Sequence, residues 1–162
     1  SGGLHGVGIS VVNALSEWTD VEVARDKQVW TQSFKRGKAQ GPIQNLGPTP
    51  NRRGTKVTFL PDHEIFGAGK TKFKPSILYK MAKSKAYLFK GIEIRWACDP
   101  SLISEKEKES VPEKETLHFP GGLNDYLTVL MEKRNCVTEE NFHGKVPLAD
   151  EAGQIEWAIT WP

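Results

Sequence analysis

The chain opens Ser1-Gly2-Gly3-Leu4-His5-Gly6-Val7-Gly8-Ile9-Ser10-Val11-Val12-Asn13-Ala14-Leu15-Ser16, a glycine-rich run that feeds directly into an apolar helical pattern. Val7, Val11, Val12 and Leu15 recur at helical spacing, so residues 7–16 read as a helix. Glycine lacks Cβ, which lets backbone approach an anion closely and adopt positive φ. The first N–H groups of a helix have no partner inside it, and the helix dipole adds attraction for negative charge. A glycine turn before a helix is therefore a candidate phosphate cradle. No initiator Met and no strand precede it, so the expectation is an interior piece of a longer protein.

Working outward, Val21–Val23 and Gln28–Phe34 read as strands joined by a tight turn at Arg25-Asp26-Lys27. Residues 37–54 are rich in Gly and Pro and read as loop. Thr55–Leu60 alternates and is β-branched, a strand expected to stop at Pro61. Ser76–Phe89 reads as a helix with Ile77, Leu78, Met81, Ala82, Leu88 and Phe89 on one face, Ser76 as N-cap and Gly91 as stop. Ile92–Trp96 is a further strand. The Glu/Lys-rich run 105–115 is expected to be a solvated tip or a disordered loop. Leu117–Phe119 resumes a strand, Gly121-Gly122 breaks it, and a short helix follows with Leu123, Tyr126, Leu127 and Leu130 on one face. Ile155–Trp161 is a closing strand with Trp157 and Trp161 on one face, expected to be buried against a neighbouring domain. About six strands and three helices, mixed without βαβ regularity, predict an α+β fold rather than a doubly wound sheet.

Composition sets the frame. The 162 residues suit one domain plus the start of another, and 38% hydrophobic with 26% charged residues is ordinary for a soluble chain. A net charge of +2 is too small to argue for nucleic acid by itself. Cys98 and Cys136 form no CxxC pair, and free thiols in the cytoplasm are the expected state. No apolar run approaches the ~20 residues a membrane span needs.

As a bare pattern, Gly3-x-x-Gly6-x-Gly8 is neither the GxGxxG of dinucleotide folds nor a P-loop, and a glycine turn without ligand is an equal reading of it. The whole string of residues 1–16 is more specific. It resembles the ATP-lid motif of bacterial type IIA topoisomerase ATPase subunits, the B subunits of gyrase and topoisomerase IV (GyrB and ParE). These belong to the GHKL ATPases. Arg53-Gly54-Thr55-Lys56-Val57-Thr58-Phe59 resembles the family's Gly-Thr strand, and Phe119-Pro120-Gly121-Gly122-Leu123 its junction into a transducer domain. The general likeness of residues 20–34 and 84–100 leans toward the topoisomerase IV branch.

The resemblance implies a two-layer GHKL sandwich in part, with residues 1–120 as the back of the ATPase domain and 121–162 as the start of the transducer. It implies that Gly3, Leu4, His5, Gly6, Val7 and Gly8 cradle ATP phosphates, that Thr55 reaches the adenine and that Val57 lines its pocket. Arg25 matches an arginine at the pocket mouth; a plain surface charge is the other reading. The implied partners are DNA, another copy of the ATPase subunit and a tyrosine-bearing A-type partner (GyrA or ParC like), with ATP and Mg²⁺ as cofactors. The glutamate base, the Mg²⁺-holding asparagine and the adenine-reading aspartate are expected before Ser1. The γ-phosphate glutamine and lysine are expected beyond Pro162. The 162 residues alone are therefore expected not to hydrolyse ATP. Two alternatives stand beside this: another GHKL clamp, or a non-enzymatic nucleotide-binding module.

Other residues carry plainer readings. His63, His118 and His143 show no metal-ligand spacing. Lys70, Lys72, Lys74, Lys80, Lys83, Lys85 and Lys90 form a basic stretch without an intervening acid. It reads either as a DNA-facing patch or as a solvated helix face, with Lys80 and Lys83 opposite the apolar stripe.

Overall fold

The computed structural model describes residues 6–149 and 153–162. The chain forms two compact units, Ser1–Lys72 and Phe73–Pro162. The first contains α1 (Val7–Ala14), β1 (Ser16–Arg25), β2 (Gln28–Lys35), β3 (Lys38–Ala39), β4 (Gln44–Pro48), β5 (Gly54–Pro61) and α2 (His63–Phe66). Its antiparallel sheet runs β3-β2-β1-β5, with β4 also paired to β2. Two-residue turns close both hairpins on β2. Asp26 and Lys27 have φ of 51° and 60°, and Arg36 and Gly37 have φ of 48° and 78°. Two left-handed residues in a row make the turn whose twist matches its strands.

Two readings of this unit change. Residues 37–54, read as loop, carry β3 and β4. Gly47 and Pro48 are tolerated because β4 pairs on one side only, and a bulge between Val29 and Trp30 absorbs its irregularity. Pro61 does not stop β5; it closes the strand opposite Ser16, where its missing N–H removes no inner ladder bond.

The second unit contains α3 (Pro75–Leu88), β6 (Ile94–Ala97), a 3₁₀ turn (Pro100–Leu102), β7 (Lys114–Leu117), α4 (Leu123–Met131), β8 (Phe142–Pro147) and β9 (Gln154–Ile159). β6 pairs with β7 and β8 with β9, both antiparallel. Tyr79, Ala86, Ile103, Val111 and Leu117 form the core, with Ala82, Ile94, Trp96, Cys98 and Phe119 against it. Tyr87 stacks on Phe119 with centroids 3.8 Å apart. The described residues thus hold nine strands and four α-helices, more than the periodicity of the sequence shows.

Several boundaries and faces differ from the sequence reading. α3 starts one residue earlier, with Lys74 at the N-cap and Pro75 at the first turn, where proline's fixed φ suits a helix start. Ser76 is inside the helix. The face buried is Tyr79, Ala86 and Tyr87, whereas Ile77, Met81, Leu88 and Phe89 are exposed. Lys80 is exposed beside Ile77 and Met81 rather than opposite them. β6 begins at Ile94, not Ile92, and β7 ends at Leu117. The 105–115 run is folded: Val111 is buried, and its N–H donates to Glu107 O at 2.8 Å. Hydrogen bonds from Ser76 and Ser104 hold the Glu107 carboxyl below its ordinary value. β8 arises in a stretch without strand signal, and Trp161 lies beyond β9 and is exposed, while Trp157 covers Gly144 across the ladder.

Candidate functional site

The glycine-to-helix corner is built as its residues dictate. Gly6 stands at the N-cap of α1 with φ 80° and ψ −9°, a conformation that strains any residue with Cβ. No described side chain caps this helix start, and its first turn carries no acid. A Cβ built on Gly6 or Gly8 would meet nothing within 4 Å, so the backbone faces open space. The early N–H groups of α1 therefore point out without a side-chain competitor, which suits an anion. Gly3, Leu4 and His5 lie outside the described residues, whereas Gly6, Val7 and Gly8 form the helix start.

The second part lies on the central strand pair. Thr55 faces Val23 and Val57 faces Val21 across β5 and β1, so the four side chains share one sheet face. On the other side of β1, Val23 faces Trp30 and Val21 faces Gln32. The β1–β2 row borders a recess of about 150 Å³ lined by Val21, Val23, Trp30, Thr31, Gln32, Phe34 and Ile43. Thr55 is exposed and Val57 half-buried. An apolar floor of this kind fits a flat ring, and Thr55 and Val57 share its sheet face through their pairing with Val23 and Val21 without lining the recess itself.

Arg25 ends β1, two residues beyond the Val23–Thr55 pair. Its side chain is exposed and pairs with Asp26 at 3.3 Å. It lines a polar recess of about 340 Å³ with Lys27, Asn51, Arg52 and Arg53, and Arg52 pairs with Glu22. The structure thus groups Thr55 with Val57, and Arg25 with a basic cluster at the hairpin end. Among the described residues no group of three or more His, Cys, Asp or Glu is placed to hold a metal. His63 Nδ1 lies 3.3 Å from Glu17, and His118 Nδ1 lies 3.0 Å from Ile92 O.

In the basic stretch, Lys90 pairs with Glu156 at 2.8 Å, and Lys83 lies 5.9 Å over the Tyr79 ring. Lys80 and Lys85 border a groove of about 490 Å³ along α3 with Ile77, Met81 and Leu88. No described helix is long and apolar enough to cross a membrane.

Sequence reasoning passes over one feature of the site. The C-terminal end of α1 is tied to Asp62, which in turn holds Arg36. Asp62 ahead of α2 is readable as a helix cap, and its side chain does accept from the Glu64 N–H. Nothing local points from it to Arg36.

No family model matches the chain. Over 161 residues, 99% of its length, it is 51% identical to the B subunit of DNA topoisomerase 4 from Bartonella bacilliformis. It is 52% identical over 161 residues to the corresponding protein of Caulobacter vibrioides. The chain belongs with the B subunits of bacterial type IIA topoisomerases. It spans 23% and 22% of those two relatives, less than a quarter of each. The 43K ATPase domain of Thermus thermophilus gyrase B, solved with an aminocoumarin, is 34% identical and superposes with a TM-score of 0.72. That match covers 88% of this chain and 36% of the gyrase domain. The B subunit of Myxococcus xanthus gyrase shares the fold at a TM-score of 0.77, covering 94% of this chain and 41% of its own. The mixed α+β fold of the type IIA B subunits is therefore the fold of this chain.

Proposed function

We propose that this chain supplies the phosphate lid and part of the adenine pocket of the ATP site in the B subunit of a type IIA topoisomerase. The observation that carries it is the open, positive-φ glycine corner at the start of α1, on a chain whose β1–β5 face presents Thr55 and Val57. Residues 1–120 are assigned to the ATPase domain and 121–162 to the start of the transducer. Gly3, Leu4, His5, Gly6, Val7 and Gly8 take the phosphates through backbone N–H groups. Thr55 takes a polar edge of the adenine and Val57 its apolar face. Arg25 stands at the mouth, drawing in an anionic nucleotide.

A bound Mg²⁺ supplies charge neutralisation on the triphosphate. Its ligand is assigned to sequence before Ser1, as is the glutamate base. The role of the residues described here is to bind and orient, which by itself is a large share of phosphoryl-transfer catalysis. The whole protein is assigned ATP-driven passage of one DNA duplex through another in the cytoplasm, with an A-type partner providing the break. ATP closes the lid and pairs two copies of the ATPase domain. The lean is to topoisomerase IV rather than gyrase.

The test uses the full-length protein and its Gly6→Ala variant. Native protein binds a non-hydrolysable ATP analogue and shows DNA-stimulated turnover, with relaxation of supercoils once the A-type partner is added. Gly6→Ala forces a Cβ onto a φ of 80° and weakens analogue binding by roughly tenfold or more. Equal binding by both proteins refutes the phosphate role of this corner. The 162 residues alone show no ATP turnover above background; measurable turnover refutes the assignment of the base to another segment. A Lys80/Lys83/Lys90 triple alanine variant that keeps DNA-stimulated turnover rules out a DNA role for that stretch.

A further inference from the structure

The two ends of α1 are held unequally. At its start Gly6 has no side-chain cap among the described residues, and Val7, Ile9 and Val11 are exposed. Its end is fixed at several points. The Leu15 N–H donates to Val11 O at 3.0 Å, the Ser16 hydroxyl to Val12 O at 2.6 Å, and the Asp62 N–H to Leu15 O at 3.0 Å. A helix fastened at one end pivots about that end, so small errors at the fastening are largest at the free glycine corner.

Asp62 is the centre of the fastening. It is only 1% exposed, and a carboxylate so placed needs partners. The Glu64 N–H donates to its Oδ1 at 2.9 Å, and Arg36 Nε to its Oδ2 at 2.7 Å. Another guanidinium nitrogen of Arg36 reaches Glu64 at 2.6 Å. Arg36 adopts a φ of 48° to do this, in a turn position where Asn, Asp or Gly is the usual occupant. The next residue, Gly37, lies against the helix: a Cβ there would stand 3.4 Å from Ala14 Cα. One hairpin tip thus touches the last residue of α1 with its glycine. With its arginine it grips the residue that holds Leu15. A turn made only for chain reversal needs neither contact.

We propose that Arg36 and Asp62 are positioning residues that aim α1, and with it the glycine corner, at the nucleotide phosphates. The inference rests on the ATP reading above. Backbone donors lose most of their effect when displaced by about 1 Å, which is why a site on a helix start needs a fixed helix end.

Arg36→Ala and Asp62→Asn are made in the full-length protein. Asp62→Asn keeps an acceptor for the Glu64 N–H and its own N–H to Leu15, so the fold has its cap while the charge pair is gone. Two readouts are compared with native protein: hydrogen exchange at the amides of residues 7–14 without nucleotide, and affinity for the ATP analogue. The expected result is exchange faster by roughly tenfold and analogue affinity weaker by roughly tenfold. KM for ATP rises to match, and kcat at saturation changes by less than about twofold, because the chemical groups are untouched. Arg36→Lys, which keeps charge but loses the fork, recovers part of the affinity. Native-like analogue affinity in both variants, whatever the exchange shows, overturns the proposal and leaves the pair a stabiliser of the turn. Failure of the native protein itself to bind the analogue refutes the ATP reading and the positioning role with it.

Discussion

Among the described residues, the buried side chains of the first unit are Ser16, Thr19, Asp62 and the small Ala24; those of the second are Pro75, Tyr79, Ala86, Tyr87, Ile103, Val111 and Leu117. One set is chiefly polar and the other, apart from two phenol hydroxyls, apolar. Apolar burial is strong but non-directional, so it secures a fold without fixing any one atom closely. Hydrogen bonds and ion pairs contribute less net energy but fix direction. The second unit is therefore held by bulk, around β7 and the inner face of α3. The first is held by aim, around the junction of α1, β1 and α2. The large apolar side chains of the first unit, such as Trp30, Ile43 and Phe59, remain partly exposed on its sheet face. The helix α1, for which a ligand at its open start is proposed, lies in the first unit, among the directional contacts.

The largest effect expected of this contrast is at Leu117, which is 0% exposed and central to the apolar cluster. Leu117→Ala leaves a cavity and lowers stability by about 3 kcal/mol in urea unfolding. A loss under about 1 kcal/mol would mean that the second unit is not held by its core. Next comes Gly144, which faces Trp157 across β8 and β9. A Cβ there overlaps the indole, whose ring covers the glycine. Gly144→Ala is expected to cost about 2 kcal/mol and to shift tryptophan fluorescence.

Tyr79 is a polar contact inside the apolar unit, and its expected effect is smaller. Its hydroxyl donates to Glu115. Burial, and then Glu115, push its pKa up to about 12 from an ordinary value of 10. Between these values the unfolded chain has released the proton that the folded one keeps. Unfolded protein then binds fewer protons, so stability present below pH 10 is lost as pH rises toward 12. Tyr79→Phe is expected to cost about 1 kcal/mol at neutral pH and to flatten the alkaline fall. An equally steep fall in the variant would assign it to other groups.

The same contrast explains what the sequence makes legible. Elements that depend on local pattern are readable: α1, the β1–β2 hairpin, β5, α3, α4 and β9. β3, β4 and β8 are not, because each is short or rich in Gly and Pro and becomes a strand only through its partner. The inner face of α3 is also hidden. Helical spacing is equally good for Ile77, Met81 and Leu88 as for Tyr79, Ala82 and Ala86, and only the position of Leu117 and Val111 selects the second set. The glycine corner of Gly6, Val7 and Gly8 is legible because a turn into a helix start is built from neighbours in sequence. The Arg36–Asp62 pair is not, since its partners stand 26 residues apart and meet only once the sheet is formed.

Thr19 offers the smallest and sharpest test. It is 1% exposed, faces Phe34 on one side and Phe59 on the other, and its hydroxyl has no hydrogen-bond partner among the described residues. Valine has the same shape without the hydroxyl and favours strands at least as well. Thr19→Val is therefore expected to raise stability by about 0.5 kcal/mol, since it removes an unpaired buried polar group. Such a gain separates two kinds of polar burial within one unit: Asp62 is buried for its partners, and Thr19 for its shape. A loss of more than about 1 kcal/mol would instead mean that the hydroxyl is bonded in solution. The buried polar residues around α1 would then act as one network, and the aim of the helix would depend on Thr19 as well as on Arg36 and Asp62.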